Sequence, residues 1–77
     1  MIEFIETVRP DGRMQSLLRA DGLPAGMHYH IMVRPDGRCT ASSRANGNGS
    51  VRHYDHANYE AAMAHATEWA KRKIAGR

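Results

Sequence analysis

One stretch constrains this chain more than any other: residues 55–76, the only long run with clean helical periodicity. Tyr59, Ala62, Met63, Ala66, Ala70 and Ile74 recur at i, i+3, i+4 and i+7 spacing and share one stripe, with Trp69 at its edge. Glu60, Ala64, Glu68, Lys71 and Arg72 fall on the other side, and so does His65. Asp55 reads as the N-cap, because its carboxylate can accept from the first free backbone N–H groups. Lys71, Arg72 and Lys73 sit where the carbonyl end of the dipole favours cations, and Gly76 reads as a left-handed stop. A lone amphipathic helix must bury its stripe against something. No second helix of this quality exists in the chain, so the remaining residues have to supply that surface.

Those residues read as strands. Residues 2–9 alternate, with Ile2, Phe4 and Val8 on one side, and Pro10-Asp11-Gly12 is turn chemistry. Residues 13–19 return. A three-residue loop then pairs Val8 with Met14, Phe4 with Leu18 and Ile5 with Leu17; Leu17-Leu18 is also compatible with a short helical turn. Residues 20–26, with two glycines and a proline, form a loop. Residues 27–34 are the best strand: Met27, Tyr29, Ile31 and Val33 alternate with His28, His30, Met32 and Arg34. Pro35-Asp36-Gly37 turns it and residues 38–44 return, in the register that pairs Val33 with Cys39 and Ile31 with Ala41. Residues 45–50 form a Gly-rich polar loop, and residues 51–54 a short last strand that feeds the helix. The expected fold is α+β: a four- to five-stranded antiparallel sheet with one C-terminal helix packed on one face, in a single domain over residues 1–77.

The hexapeptide VRPDGR occurs twice, at 8–13 and 33–38. Two hairpin turns of one type account for the Pro-Asp-Gly core. The flanking arginines also fit a duplicated binding tip, since both turns can lie at one end of the sheet.

Catalytic chemistry finds no foothold in this pattern. No G-x-S-x-G elbow surrounds Ser42, Ser43 or Ser50, no carboxylates pair across a pocket, and Asn46-Gly47-Asn48-Gly49 lacks the GK[ST] ending of a phosphate loop. Cys39 belongs to the Tyr29/Ile31/Val33 face, where a thiol behaves as a small hydrophobe. That also keeps it away from His28 and His30, so three converging zinc ligands are not assembled. His53 and His56 flank the last strand and read as solvated, so no cofactor or metal is expected. A single cysteine cannot form an internal disulfide and suits a reducing cytoplasm. Glu3 and Glu6 interrupt any signal-peptide core, and no run reaches transmembrane length.

What remains is the face that the helix leaves open. The registers place Ile5, Leu17, His28, His30, Met32 and Arg44 there, with Arg34 and Arg38 at the second turn. These eight residues are the candidate partner-binding set, because a mixed apolar and basic patch reads as a contact surface. The net charge of +3 permits an acidic protein or a nucleic acid. Phosphate contacts would fall to Arg9, Arg13, Arg34, Arg38, Arg44, Arg52, Lys71 and Arg72, although no aromatic-rich strand suits base stacking. A homodimer is also compatible with an open face.

The segments YHIMVRPDGRCTASSRANG (29–47) and YEAAMAHATEWAKRK (59–73) resemble very small bacterial and phage proteins, among them type I anti-CRISPR proteins. These run strand, turn, strand, then one amphipathic helix. The resemblance implies a non-enzymatic inhibitor that docks on a protein complex of bacterial defence. Several such inhibitors are acidic and imitate DNA; a basic chain would dock on protein instead. The strand-strand-helix order and the EAA of the helix also resemble HicB-type antitoxins.

Overall fold

A computed structural model describes residues 1–45 and 51–76. Five strands run in chain order across one antiparallel meander, β1 (Ile2–Val8), β2 (Met14–Ala20), β3 (His28–Val33), β4 (Cys39–Arg44) and β5 (Val51–His56), followed by α1 (Tyr59–Ala75). The hydrophobic pattern sets the registers: Phe4 lies opposite Leu18, Ile5 opposite Leu17, Ile31 opposite Ala41 and Val33 opposite Cys39. A slip of one residue would turn each apolar set to the wrong side. Leu17 and Leu18 are therefore strand residues facing opposite ways. The expected loop at 45–50 falls, apart from Ala45, outside the described residues.

The two VRPDGR turns are built alike. Arg9 N–H donates to the Arg13 carbonyl at 2.8 Å and Gly12 N–H to the Arg9 carbonyl at 2.9 Å; the second turn repeats this at 2.8 and 2.9 Å with Arg34, Arg38 and Gly37. Asp11 and Asp36 each accept, through Oδ1, the N–H of the following arginine at 3.0 Å. Gly12 and Gly37 take φ of 86° and 87°, a conformation that a side chain disfavours.

The helix differs from expectation at both ends. Its N-cap is Asn58, whose Oδ1 accepts from the Ala61 N–H at 2.8 Å. Asp55 is instead a strand residue opposite Thr40, because β5 continues two residues further than its apolar pattern suggests. Gly76 has φ −87° and ψ 1°, so the helix ends without a left-handed residue. Its N–H simply extends the ladder to the Arg72 carbonyl at 2.9 Å.

The helix α1 lies over β3, β4 and β5. The core is Leu18, Tyr29, Ile31, Cys39, Ala41, Ala62, Ala66, Trp69 and Ala70. The three helix alanines are fully covered and let the helix backbone come close to the sheet. Trp69 is 4% exposed, and its ring lies 5.5 Å from that of Tyr29, tilted by 55°. Tyr59 ties the helix start to the far edge strand by donating its hydroxyl to Glu6 Oε2 at 2.9 Å. Val8 shares the side of Ile2 and Phe4 but stays 72% exposed, beyond the reach of the helix.

Candidate functional site

Strand alternation sorts every side chain of the sheet between a helix-covered face and an open one. The registers arrange the open face in rows. Ile5, Leu17, His30, Ser42 and His53 form one row across all five strands, and Thr7, Gln15, Met32, Thr40 and Asp55 form the next. A third row, toward the far end, runs Glu3, Arg19, His28, Arg44 and Val51.

Ile5 and Leu17 sit side by side at 43% and 44% exposure. They border a shallow hollow of about 220 Å³ that also touches Thr7, Gln15 and His30. Polar contacts pin the centre of the face: His30 Nε2 lies 3.1 Å from Gln15 Oε1, and Gln15 Nε2 donates to Thr7 Oγ1 at 3.2 Å. Met32 is half-buried because Arg9 reaches over the sheet and places Nη1 3.5 Å from its sulfur. Six of the eight residues singled out from the sequence share the open side of the sheet, and Arg34 and Arg38 flank the second turn at its end. Arg34 and Arg38 lie at its turn end, Arg44 and His28 at the opposite end, and Ile5, Leu17, His30 and Met32 between them.

Arg9 also reaches this surface, through its contact with Met32, although only the second turn's arginines are in that set of eight. Arg13 and Arg34 line one hollow between the two turns, together with Asp11, Gly12, Met14, Val33 and Pro35. Asp11 lies 3.8 Å from both Arg9 and Arg13, and Asp36 lies 3.4 Å from Arg34. The Arg38 N–H and, after it, the nearby Arg34 charge hold the Asp36 carboxyl below its usual pKa.

The covered side holds a polar cluster that helical periodicity misplaced. His65 is half-buried rather than solvated, and its Nδ1 lies 2.7 Å from Tyr29 Oη. His56, turned inward at the end of β5, brings Nε2 to 3.4 Å from the same oxygen. Tyr54 packs against His65 at 4.6 Å between ring centroids, and its hydroxyl lies 3.1 Å from Ser43 Oγ. Burial first, then Tyr54, pushes the Tyr29 phenol up to about 12. Burial first, then His56 and Arg72, holds the His65 imidazole below its ordinary value. Both shifts favour a Tyr29 hydroxyl that donates to a neutral His65. The available signal was spacing: His65 is three residues after Ala62 and four before Trp69, on the Trp69 flank of the stripe. Nearby, a concavity of about 310 Å³ is lined by Ser43, Ala45, Arg52, Tyr54, Trp69, Arg72 and Lys73, none of them in the set of eight.

Among the described residues no three His, Cys, Asp or Glu side chains converge on a metal position, and no helix is long and apolar enough to cross a membrane. Cys39 is a free, buried cysteine whose thiol burial pushes up, away from the reactive thiolate. No family model, curated protein or solved structure matches this chain.

Proposed function

We propose that this protein is a non-enzymatic docking module whose open sheet face binds a protein partner, and that the partner is a multisubunit complex of bacterial defence. The observation that carries the reading is the face itself: a five-stranded sheet covered on one side only, with Ile5 and Leu17 exposed beside Met32 and His30 and with arginines at both ends. An apolar centre with an arginine rim is the make-up of a protein interface, where a few large or guanidinium side chains carry most of the binding. Met32 offers an adaptable apolar contact and Arg44 a planar fork for carboxylates. The defence-complex partner follows from the resemblance of residues 29–47 and 59–73 to small type I anti-CRISPR inhibitors. Inhibition of this kind is stoichiometric occlusion and needs no bond-making residue in the inhibitor.

The test is phage plating on strains that carry active type I CRISPR interference, with and without this protein. Restored plaques are expected, together with co-purification of the protein on the effector complex. The double variant Met32→Glu/Arg44→Glu should lose both effects while melting close to the wild type, because neither side chain belongs to the core. Interference left intact across a panel of type I systems overturns the choice of partner. A folded double variant that inhibits normally overturns the choice of surface.

A further inference from the structure

The duplicated VRPDGR segment is only half explained by its turns. Proline, aspartate and glycine each have a backbone task there, through a fixed φ, an acceptor for a turn N–H, and a positive φ. The arginines have none: they are ordinary ladder positions at which any strand residue would serve. Yet Arg9 is paired with Arg13, and Arg34 with Arg38, through backbone bonds of 2.8 Å. The β2–β3 register, with Gln15 opposite Met32, brings Arg13 and Arg34 into line, and both line the same hollow. The four arginine positions therefore fall in one row across the turn ends of β1 to β4, and the Arg9 guanidinium reaches over Met32 on the open face. Like charges placed opposite each other destabilise a sheet. Asp11 and Asp36 leave a surplus of two positive charges, and their ion pairs, at 3.4–3.8 Å and well exposed, are of the weak, exchangeable kind.

We propose that this row is a guanidinium strip that grips an extended acidic segment of the protein partner. The assignment rests on the open face being a protein-contact surface and names the chemistry of what it contacts. Strands about 4.8 Å apart make the four-arginine row about 14 Å long, the span of three same-side carboxylates at about 6.8 Å spacing in an extended Glu-x-Glu-x-Glu segment. Nucleic acid fits less well. The strip continues into the apolar Ile5/Leu17/Met32 surface, which a phosphate backbone would leave unmatched. Tyr29, Tyr54 and Trp69 are packed on the helix side, where they are closed to base stacking. A second copy fits worse still. The opposite end of the face carries Glu3, Arg19, His28 and Arg44, with Glu3 already paired to Arg19 at 3.8 Å, so face-to-face packing in either direction offers the strip no run of free carboxylates.

The test is NMR titration of isotope-labelled protein with the blocked peptide Glu-Thr-Glu-Thr-Glu, following the arginine Nε–H signals, and in parallel with a short DNA duplex. The peptide is expected to move Arg9, Arg13, Arg34 and Arg38 together and to leave Arg52 and Arg72, on the other side, unmoved. Arg13→Glu/Arg34→Glu should weaken peptide binding by about tenfold or more, whereas Arg52→Glu/Arg72→Glu, the same change of charge, should leave it intact. If the first pair fails to fold, Arg13→Gln/Arg34→Gln takes its place. Leu17→Ser removes apolar contact but no charge, so it should spare peptide binding while weakening capture of the effector complex. Unaltered capture by Leu17→Ser thus counts against the docking face and not against the strip. Shifts spread evenly over all arginines, or none at all, overturn the strip. A duplex that binds more tightly than the peptide at about 0.15 M salt overturns the acidic-protein assignment in favour of phosphate.

Discussion

On β3, Tyr29 and Ile31 are fully covered, while His30 and Met32, each one residue away, lie on the open side of the same strand. The two faces share a backbone and differ in the side chains they present and in what lies on top. Against the helix the sheet presents Leu18, Tyr29, Ile31, Cys39 and Ala41, closed over by small helix residues and one large ring. On the other side, apolar residues are fewer, partly exposed and mixed with histidine and arginine. Stability therefore concentrates on one face, which leaves the other free to vary for binding. The contrast can be put to measurement.

Trp69→Ala should show the largest effect. It removes a ring that is 4% exposed and touches Tyr29, and should cost about 3–5 kcal/mol in chemical denaturation. That is a large part of the stability of so small a domain. A variant that unfolds at the wild-type midpoint would mean that the covered face is not where the stability lies.

A smaller effect should come from acid. The folded state holds the His65 imidazole below its ordinary value of 6.5, so the unfolded chain binds its proton more readily. The stability contributed by neutral His65 is present above pH 6.5 and is lost as the pH falls through the folded-state value. Melting temperature should decline over that window, and His65→Gln should flatten the decline. An unchanged slope in His65→Gln would remove His65 from the account.

The smallest effect should be on the open face. Leu17→Ser alters a side chain that is 44% exposed and outside the core, so its cost should stay near 0.5 kcal/mol in the same denaturation assay. A loss approaching that of Trp69→Ala would show that both faces are covered in solution, most simply by a second copy.

Much of this was legible without coordinates where the physics is local. Period-two alternation with matched apolar pairs led to both hairpin registers, and Pro-Asp-Gly led to both turns. The sites of error are equally specific. Asp55 and His56 carry no apolar signal, so the end of β5 was invisible until pairing with Thr40 and Cys39 extended it. With the strand lengthened, the cap moved to Asn58. The repeat points to a duplicated arginine-flanked tip, but the alignment of Arg13 with Arg34 depends on β2 lying beside β3.

The sequence by itself determined the class of fold, the two hairpins, the single helix and which residues of each strand share a side. These follow from steric limits on the backbone and from hydrophobic pattern, both of which act over a few residues. Only the tertiary structure decided the rotation of the helix on the sheet, which buried Trp69 against Tyr29 and drew His65 onto the same ring. Only it decided the meander order that aligns the two repeats into one arginine row. Both depend on contacts between residues far apart in the chain, such as Tyr29 with His65 and Arg9 with Met32, whose geometry no local pattern encodes.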